Sequence, residues 1–426
     1  MLDYFTLKLI WWALVGVLLI GFAIMDGHDM GVGNLLPFVG RTDLERRVAI
    51  NSVGPHWDGN QVWFITAGGA LFAAWPVVYA TAFSGFYWAM ILVLWALFFR
   101  PVGFDYRSKI HNAKWRSTWD WGLFVGGAVP PLVFGIAFGN LLQGVPFHFN
   151  NMLVSTYTGS FWQLLNPFAL LTGVVSSAMI TLQGGTYLAH RTEGVIQVRA
   201  IKGGVGAALV LLGTFVIAGV WLQSIDGYRI TSVVDTAGLP DILNKTVVRE
   251  AGAWMSNYGH YPVLWLLPAL GLGGAAGAAL LMMMRRTLAA FVASSLAVIG
   301  VISTAGVSMF PFVMPSSTVP AASLTVWDSV SSHLSLSIMF WATLIFMPLI
   351  VIYTSWAYRV MRGKVTVAQI EATNIRPTNA IRGAKTMWYF AWMLGVGFAL
   401  LLAILNAMWG ENEAGRALSD REEPRP

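Results

Sequence analysis

Long apolar stretches separated by polar segments dominate the chain. A helix needs about 20 residues to cross the roughly 30 Å of hydrocarbon in a bilayer, and ten stretches are long enough. The apolar runs are continuous and do not alternate, so they predict helices and not the strands of a membrane β-barrel. The predicted spans are residues 7–25, 51–76, 80–99, 121–142, 162–187, 203–223, 262–284, 287–310, 334–357 and 387–409.

The composition supports this pattern. Of the 426 residues, 56% are hydrophobic and 11% are charged, whereas soluble domains carry roughly 25% charged residues. A water-soluble fold of this length could not cover so much apolar surface. The sequence therefore predicts an all-α integral membrane protein, with nine transmembrane helices in bundles and a tenth helix near the C-terminus.

The basic residues indicate how the chain is oriented. Most of the 26 Lys and Arg residues lie in the loops after predicted spans 1, 3, 5, 7 and 9. Because basic loops stay in the cytoplasm, we expect the N-terminus and the C-terminus on the periplasmic side of a bacterial inner membrane. These loops also account for the net charge of +6, and no motif predicts a nucleic-acid partner. Only Lys8 precedes the first apolar run, whose end lacks a small-x-small cleavage pattern, so we expect a retained span.

The chain contains no cysteine. This excludes disulfides, thiolate metal sites, iron–sulfur clusters and covalently attached c-type haem. Residues 271–276 (GLGGAA) match a dinucleotide fingerprint, but they lie inside a predicted span and not at a strand-to-helix turn. We interpret Gly273 and Gly277 as a small-xxx-small helix contact, and we predict no nucleotide site.

Ionisable side chains concentrate at the cytoplasmic ends of the first three spans. They are Asp26, His28 and Asp29 at the inner end of span 1, His56 and Asp58 at the start of span 2, and Arg100 and Asp105 after span 3. If span 2 begins near Asn51, Asp58 lies about 10 Å along its helix. A lone buried carboxylate takes up a proton, so this group could pass protons inward. The alternative is a satisfied polar cluster that caps three helices at the interface.

Other polar residues have less specific interpretations. His28 and His56 could ligate haem, because imidazole is a common axial ligand, or they could be hydrogen-bonding histidines at the interface. The aromatic residues near the span ends are typical of an interfacial belt. Asp328, which lies between the last two spans before the C-terminal one, is expected to be solvated.

Several long motifs give the chain a family resemblance over residues 1 to about 370. They are residues 10–12 (IWW), 26–33 (DGHDMGVG), 55–63 (PHWDGNQVW), 98–106 (FFRPVGFDY), 139–146 (GNLLQGVP), 165–168 (LNPF) and 310–315 (FPFVMP). The chain closely resembles subunit II of the bacterial cytochrome bd quinol oxidases. His28 departs from the family pattern, which has Phe at this position, so we transfer no role to it.

The C-terminal span resembles a different protein. Residues 387–392 (MWYFAW) are similar to the start of the small single-span accessory subunit of the same oxidases. We therefore expect a subunit II-like membrane domain at 1–364, a cytoplasmic linker at 365–386, and an accessory-type helix with a periplasmic tail at 387–426. Such a fusion would raise the effective concentration of the helix at its docking site. The alternative is an unrelated tenth span.

The resemblance implies a terminal oxidase that oxidises quinol and reduces dioxygen to water. It assigns the quinol site and the ligands of two haems b and one haem d to the partner, subunit I. In this chain we therefore expect no haem ligand and no metal site. Some relatives bind a structural quinone in this subunit. Whether the complex contains a further small accessory subunit stays open.

The resemblance also implies roles for individual residues. Asp58 matches a residue proposed to start a cytoplasmic proton pathway to the oxygen-reducing haems. Asp29, Arg100 and Asp105 are expected to be further members of this pathway. Trp63 matches a position near a hydrophobic oxygen route.

Two other functions are compatible with the composition. A proton-coupled secondary transporter would use the same carboxylates as coupling sites, although transporters usually show broken helices at the bilayer midplane. A non-catalytic assembly or scaffold protein would lose stability, but not turnover of the assembled complex, when Asp58 is substituted. The motifs favour the oxidase subunit.

Overall fold

The computed structural model describes residues 2–150 and 152–375, and within them the fold is almost entirely helical. The predicted span at 387–409 and the predicted linker beyond residue 375 lie outside this part of the chain. The helices are α1 Tyr4–Val39, α2 Asp43–Val53, α3 Trp57–Ala74, α4 Pro76–Gly85, α5 Tyr87–Tyr106, α6 Ala113–Gln143, α7 Pro167–Arg191, α8 Gly194–Leu222, α9 Ser256–His260, α10 Leu266–Met283, α11 Thr287–Met309, α12 His333–Val360 and α13 Val367–Ile375.

Three small antiparallel sheets lie in the connections between helices. Each has two strands: β1 Phe147–Phe149 pairs with β2 Ser155–Tyr157, β3 Asp226–Ile230 with β4 Val247–Ala251, and β5 Phe312–Met314 with β6 Leu324–Thr325. These hairpins belong to the loops and leave the all-α class unchanged.

Eight helices in the described residues are long and apolar enough to cross a membrane, namely α1, α5, α6, α7, α8, α10 with the turn before it, α11 and α12. Helices α3 and α4 together form a ninth candidate, bent by 119°. The bend lies at Trp75, directly before Pro76, a residue that suits the first turn of a new helix. The nine spans predicted before residue 365 agree with this arrangement.

Helix α1 is much longer than the predicted first span. It has 36 residues, which makes it about 54 Å long, and it ends only at Gly40. Asp26, His28 and Asp29 therefore lie well inside a helix, whereas the sequence placed them at the inner end of the first span. The helix continues through this polar stretch because α3, α6 and α7 pack around it and bury the polar side chains.

Helix α3 begins later than the predicted second span. It starts at Trp57, so Asp58 lies in its first turn and not about 10 Å along a helix from Asn51. Pro55 explains the difference, because it has no backbone N–H with which to continue the hydrogen bonds of α2. The predicted depth of Asp58 along its helix is wrong.

Glycines bring the backbone of α1 close to two other helices. A Cβ at Gly31 would lie 2.8 Å from the Cα of Gly184 on α7, and one at Gly33 would lie 2.8 Å from the carbonyl oxygen of Leu123 on α6. Both approaches are too close for any side chain. Helix α1 is therefore held between α6 and α7 at the level of its polar residues.

Helices α10 and α11 also pack through small residues, but only in part through the predicted ones. Gly274 lies against Ala297 and Gly300 against Gly271, whereas no atom of the described residues lies within 4 Å of a Cβ at Gly273. Of the predicted contact, Gly277 faces α11 at ordinary contact distance, with Cβ of Ala293 3.9 Å from a Cβ placed there, and Gly273 does not take part. The sequence shows the spacing of the small residues, but the rotation of the helix about its axis depends on its neighbours.

Asp328 is buried, contrary to the expectation that it is solvated. Its carboxylate lies 2.8 Å from Nζ of Lys245 and accepts a hydrogen bond from the backbone N–H of Thr325. Nearby, Nζ of Lys8 donates to the carbonyl oxygen of Trp327 at 3.0 Å. The loops at this end of the protein therefore fold over the ion pair, a contact that sequence patterns do not reveal.

Candidate functional site

Polar side chains from α1, α3, α5, α7 and α12 meet around the C-terminal half of α1. Two groups can be distinguished: a charged group around Arg100, and a buried group around Asp29. The first contains most of the residues that the sequence singled out. The second includes residues that sequence reasoning missed.

Arg100 on α5 forms a two-pronged ion pair with Asp26 on α1. Its Nη1 donates to Oδ2 of Asp26 at 2.8 Å, and its Nη2 donates to Oδ1. Both side chains are buried, and the guanidinium also lies 5.5 Å from the ring centre of Trp57. A buried pair of this geometry is stable only while both partners are present. Arg100 and Asp26 therefore act as one unit.

Asp58 lies beside this pair and is half-buried in the first turn of α3. Asp105, Arg100 and Asp26 lie near enough to interact with its carboxylate electrostatically. Asp105 is exposed near the end of α5. The structure thus places exposed Asp105 and the buried Arg100–Asp26 pair within electrostatic reach of half-buried Asp58.

Asp29 lies in the second, fully buried group. Its Oδ2 accepts a hydrogen bond from Nδ2 of Asn60 at 2.7 Å. Its Oδ1 lies 3.3 Å from Nε2 of His28 and 3.5 Å from Nδ1 of His56. No group among the described residues donates a hydrogen bond to Oδ1. Two imidazoles and one carboxylate oxygen therefore converge on the same space.

Two tyrosines enclose this group. The hydroxyl of Tyr187 on α7 lies 2.7 Å from Nε2 of His56. The hydroxyl of Tyr358 on α12 donates to Oδ1 of Asn60 at 3.0 Å. Asn60 follows His56 by one helical turn, so its spacing could have revealed it, whereas the tyrosines come from distant helices and leave no local signal. The site therefore depends on tertiary packing.

Trp63 lies one turn beyond Asn60 on α3, in apolar surroundings. Its ring faces Gly21 of α1, where any Cβ would collide with it. It packs against the main hydrophobic core together with Phe64, and the rings of Phe64 and Phe22 lie 4.9 Å apart. Trp63 is therefore separate from the two polar groups, although it lies on the same helix as Asp58.

A further ion cluster fixes the helix ends next to the site. Buried Asp120 of α6 accepts hydrogen bonds from Arg46 at 2.8 Å and from Arg107. Arg107 also donates to Asp43 at 2.8 Å. The cluster joins the ends of α2, α5 and α6. It therefore helps to fix the position of α5, the helix that carries Arg100.

The comparison with protein families decides the identity of most of the chain. The family model described as cytochrome bd terminal oxidase subunit II matches residues 7–361. The chain belongs to this family. It is therefore a subunit of a membrane oxidoreductase complex, and the family implies haem cofactors, a partner subunit I and the bacterial inner membrane.

Curated relatives cover nearly all of this subunit II region. Subunit 2 of the cytochrome bd-I ubiquinol oxidase of Escherichia coli strain K12 is 59% identical over 372 residues, which are 87% of this chain and 98% of the relative. The probable cytochrome oxidase subunit 2 of Haemophilus influenzae is 54% identical over 86% of this chain and 97% of the relative. Subunit 2 of the cytochrome bd ubiquinol oxidase of Bacillus subtilis is 32% identical over 84% and 96%.

The C-terminal segment of this subunit II matches a second family. The model described as membrane bound YbgT-like protein matches residues 387–413. Subunit X of the cytochrome bd ubiquinol oxidase of Brucella abortus is 55% identical over 31 residues, 7% of this chain and 61% of the relative. The predicted resemblance of this segment to an accessory subunit is confirmed.

The fold also resembles a solved oxidase structure. The bd oxidase of Geobacillus thermodenitrificans contains a chain that matches with a TM-score of 0.62 and 13% identity, over 84% of this chain and 98% of that one. At this identity the match concerns the fold alone. It confirms the predicted all-α membrane architecture.

Proposed function

We propose that this chain contributes scaffold and cytoplasmic proton intake to a complex that oxidises quinol and reduces dioxygen to water. Family membership supports the oxidase, and the names of its relatives in Escherichia coli and Bacillus subtilis support a quinol as electron donor. The observation that carries the intake role is the half-buried Asp58 beside the buried Arg100–Asp26 pair. This arrangement offers a protonatable group between the exposed end of α5 and the interior.

The proposed intake begins at exposed Asp105 and continues at Asp58. Arg100 interacts electrostatically with Asp58, Asp26 and Asp29, so its positive charge links the half-buried carboxylate to the buried ones. Ionisable groups at such positions in membrane helices commonly mark proton relays. Asp29 would receive the proton deeper inside, where Asn60 holds its carboxylate.

The two haems b and the haem d would be ligated by subunit I. Both histidines in the buried group of this chain are enclosed by aromatic side chains. The ring centre of His28 lies 4.0 Å from that of Tyr187, and the ring centre of His56 lies 4.8 Å from that of Tyr358. Rings packed this closely leave no space for a macrocycle beside either imidazole. This supports haem ligation by the partner.

Trp63 is proposed to border a route for dioxygen. Dioxygen is apolar and concentrates in hydrocarbon, and Trp63 packs among apolar side chains such as Phe64. The route would reach the complex from the bilayer, away from the polar intake at Asp58. Separate routes would keep water out of the path of the gas.

The division of the chain is also part of the proposal. Residues 1–364 would form the subunit II domain, residues 365–386 a cytoplasmic linker, and residues 387–426 an accessory-type helix with a periplasmic tail. The match of residues 387–413 to the YbgT-like family supports the third segment. The linker would begin with α13, whose Ile370 is buried in the core cluster that includes residues of α2. Linkage in one chain would keep the helix at high effective concentration near its docking site.

The transporter alternative gains nothing from the broken helix. The break between α3 and α4 lies at Trp75, at the opposite end of α3 from Asp58. A transporter site would place its carboxylates at such a break. The two features are separated here, so a single function is proposed.

Replacing Asp58 with Asn tests proton intake. Asn keeps the shape of the side chain but cannot carry a proton, so we expect quinol-driven oxygen consumption per complex to fall by about tenfold to a hundredfold. Asp58→Glu restores a carboxylate and should recover most of the rate. The complex is purified through a tag on this chain, and a reduced-minus-oxidised spectrum measures its b-type and d-type haem.

The matched control is Asp241→Asn, an exposed carboxylate in the loop between β3 and β4. It should leave turnover unchanged. Normal turnover of the Asp58→Asn complex would remove Asp58 from the mechanism. Reduced yield with normal turnover per assembled complex would instead support a scaffold role alone.

A further inference from the structure

We propose that Nε2 of His28, Nδ1 of His56 and Oδ1 of Asp29 form a binding site for a divalent transition-metal cation, with zinc as the best chemical match. The three atoms lie within 4.8 Å of one another, and all three side chains are buried. The family resemblance implied no metal site in this chain, and nothing in the sequence pairs His28 with His56. The proposed proton intake does not require this metal ion.

The distances fit a small tetrahedral ion. Zinc binds imidazole nitrogen and carboxylate oxygen at about 2.0–2.2 Å, so neighbouring ligand atoms around a tetrahedral ion lie about 3.4 Å apart. Oδ1 of Asp29 lies 3.3 Å from Nε2 of His28 and 3.5 Å from Nδ1 of His56. The hydroxyl oxygen of Tyr358 lies 3.4 Å from each of the same two nitrogens. Tyr358 therefore lies at a distance from both nitrogens that suits a fourth ligand.

The hydrogen bonds of His28 direct an electron pair into the site. Its Nδ1 lies 2.9 Å from the carbonyl oxygen of Ile24. A carbonyl oxygen only accepts hydrogen bonds, so the ring proton is on Nδ1. A neutral His28 then has its lone pair on Nε2, which faces Oδ1 of Asp29.

The hydrogen bonds of His56 lead to the same result. The hydroxyl of Tyr187 donates to the carbonyl oxygen of Ser52 at 3.3 Å, so its oxygen accepts the proton of Nε2 of His56. The lone pair of His56 is then on Nδ1, where Asn60 donates to it at 3.1 Å. Histidines that bind metals typically donate their other ring N–H to a carbonyl or a similar acceptor, and both rings do so here.

The lone pair on Nε2 of His28 therefore faces Oδ1 of Asp29 at 3.3 Å in a buried space. These two atoms repel unless a positive charge lies between them, and an ion there would also reach Nδ1 of His56 once Asn60 gives up its hydrogen bond to that nitrogen. Two imidazoles with one carboxylate are ligands that zinc and other borderline divalent metals prefer. The remaining source of positive charge is a proton shared by His28 and Asp29. The two sources differ in one measurable quantity, the metal content of the complex.

The test uses the complete complex, purified from cells grown with added zinc chloride and separated from loose metal by a chelator and gel filtration. We expect about one zinc ion per chain. His28→Phe removes one ligand and keeps an aromatic ring, and it should lower bound zinc by about tenfold or more. His260→Phe changes an exposed histidine on α9 and should bind as much zinc as the wild type. Elemental analysis gives the zinc, and the haem spectrum gives the amount of assembled complex.

Two results would overturn the proposal. Wild-type complex without zinc would assign the positive charge to a proton, and equal zinc in wild type and His28→Phe would place the ion elsewhere. If the variant does not assemble, zinc X-ray absorption of the wild-type complex decides: two imidazole nitrogens and oxygen ligands at about 2.0–2.2 Å support the site, and any other ligand set refutes it.

A second readout rests on the proposed function. Zinc on Asp29 would occupy the oxygen that a proton relay needs, so added zinc should slow oxygen consumption of the wild type and affect His28→Phe less. If zinc binds in the expected amount without slowing turnover, the metal site stands and Asp29 leaves the proton pathway. Loss of zinc binding would contradict the metal site and leave proton intake through Asp58 unaffected.

Discussion

The two buried carboxylates in the C-terminal half of α1 are held from other helices, Asp26 by both of its oxygens and Asp29 by one. Arg100 on α5 holds Asp26 with both ends of its guanidinium, and Asn60 holds Asp29. Burial of a charge in a low-dielectric interior costs several kcal/mol unless a partner compensates it. The pairing therefore allows carboxylates to remain in the interior, where a proton pathway can use them.

The strength of the Arg100–Asp26 pair can be measured with a double-mutant cycle. Asp26→Leu leaves the guanidinium buried and unpaired, and we expect it to destabilise the complex by about 3–5 kcal/mol. Arg100→Leu should cost a similar amount. The double variant should cost much less than the sum, because neither charge remains. Thermal denaturation of the purified complex measures each step.

The control for this cycle is the exposed pair Arg229 and Glu250, which joins neighbouring strands β3 and β4 at 2.8 Å. Because both side chains are in contact with solvent, their pair should contribute only about 0–1 kcal/mol. Additive effects of the two substitutions at Arg100 and Asp26 would show that the pair is not a unit.

At the scale of elements, glycine positions decide where the functional side chains meet. Helix α1 touches α7 through Gly31 and α6 through Gly33. Both glycines lie in the helical turn of α1 that directly follows Asp29. Close approach of the helices is what encloses the polar groups between them, since a larger side chain would separate the backbones. The site is therefore a consequence of helix packing.

Replacing Gly31 with Ala tests this dependence. The added methyl group would lie 2.8 Å from the Cα of Gly184, so one helix must shift, at a cost of about 1–3 kcal/mol or more. We expect a lower melting temperature and less assembled complex. Gly16→Ala, in the same helix, meets no atom of the described residues within 4 Å and should be neutral or slightly stabilising, since Ala favours helix by about 1 kcal/mol. Equal behaviour of the two variants would contradict the packing argument.

At the scale of the molecule, the helices differ in how much of their surface this chain covers. In the apolar 18-residue segment of α7, 61% of the residues are buried inside the chain. In the corresponding segment of α12, only 6% are buried. Helix α7 is thus an interior helix, whereas the described part of the chain leaves nearly all of the apolar surface of α12 uncovered. The end of α12 nevertheless places Tyr358 in the buried site. A partner that packs on α12 would therefore contact the helix that supplies Tyr358.

The orientation of the whole chain in the membrane is a prediction from its basic loops, and single cysteines can test it. The wild-type chain has no cysteine, so Val233→Cys or His111→Cys introduces one thiol into this subunit. Val233 is 99% exposed in the loop between β3 and β4, and His111 is exposed between α5 and α6. A membrane-impermeant maleimide applied to cells with a permeable outer membrane should label residue 233 and not residue 111.

Inside-out membrane vesicles should show the reverse pattern, because the other face of the membrane is then in contact with the reagent. Labelling of both positions in detergent provides the control for accessibility. If residue 111 is labelled from the periplasm, the orientation is inverted, and the carboxylates at Asp58 and Asp105 cannot take up cytoplasmic protons.

The amino-acid pattern by itself determined the membrane class, the nine spans of the described region and the cluster of charges near the first three of them. Twenty-residue apolar runs have few alternatives in a bilayer, because each backbone polar group must be satisfied within its own segment. The long motifs in turn determined the family. These features are local, and a local pattern is sufficient to read them.

Only the tertiary structure decided which side chains form the site. Helix α1 continues through Asp26 and Asp29 because its neighbours bury it, and Asp58 lies in the first turn of α3 because Pro55 interrupts the chain before it. Tyr187 and Tyr358 reach the two histidines from helices far away in sequence. Such contacts depend on the rotation and the distance of packed helices, which are set by all neighbours together and not by the periodicity of one segment.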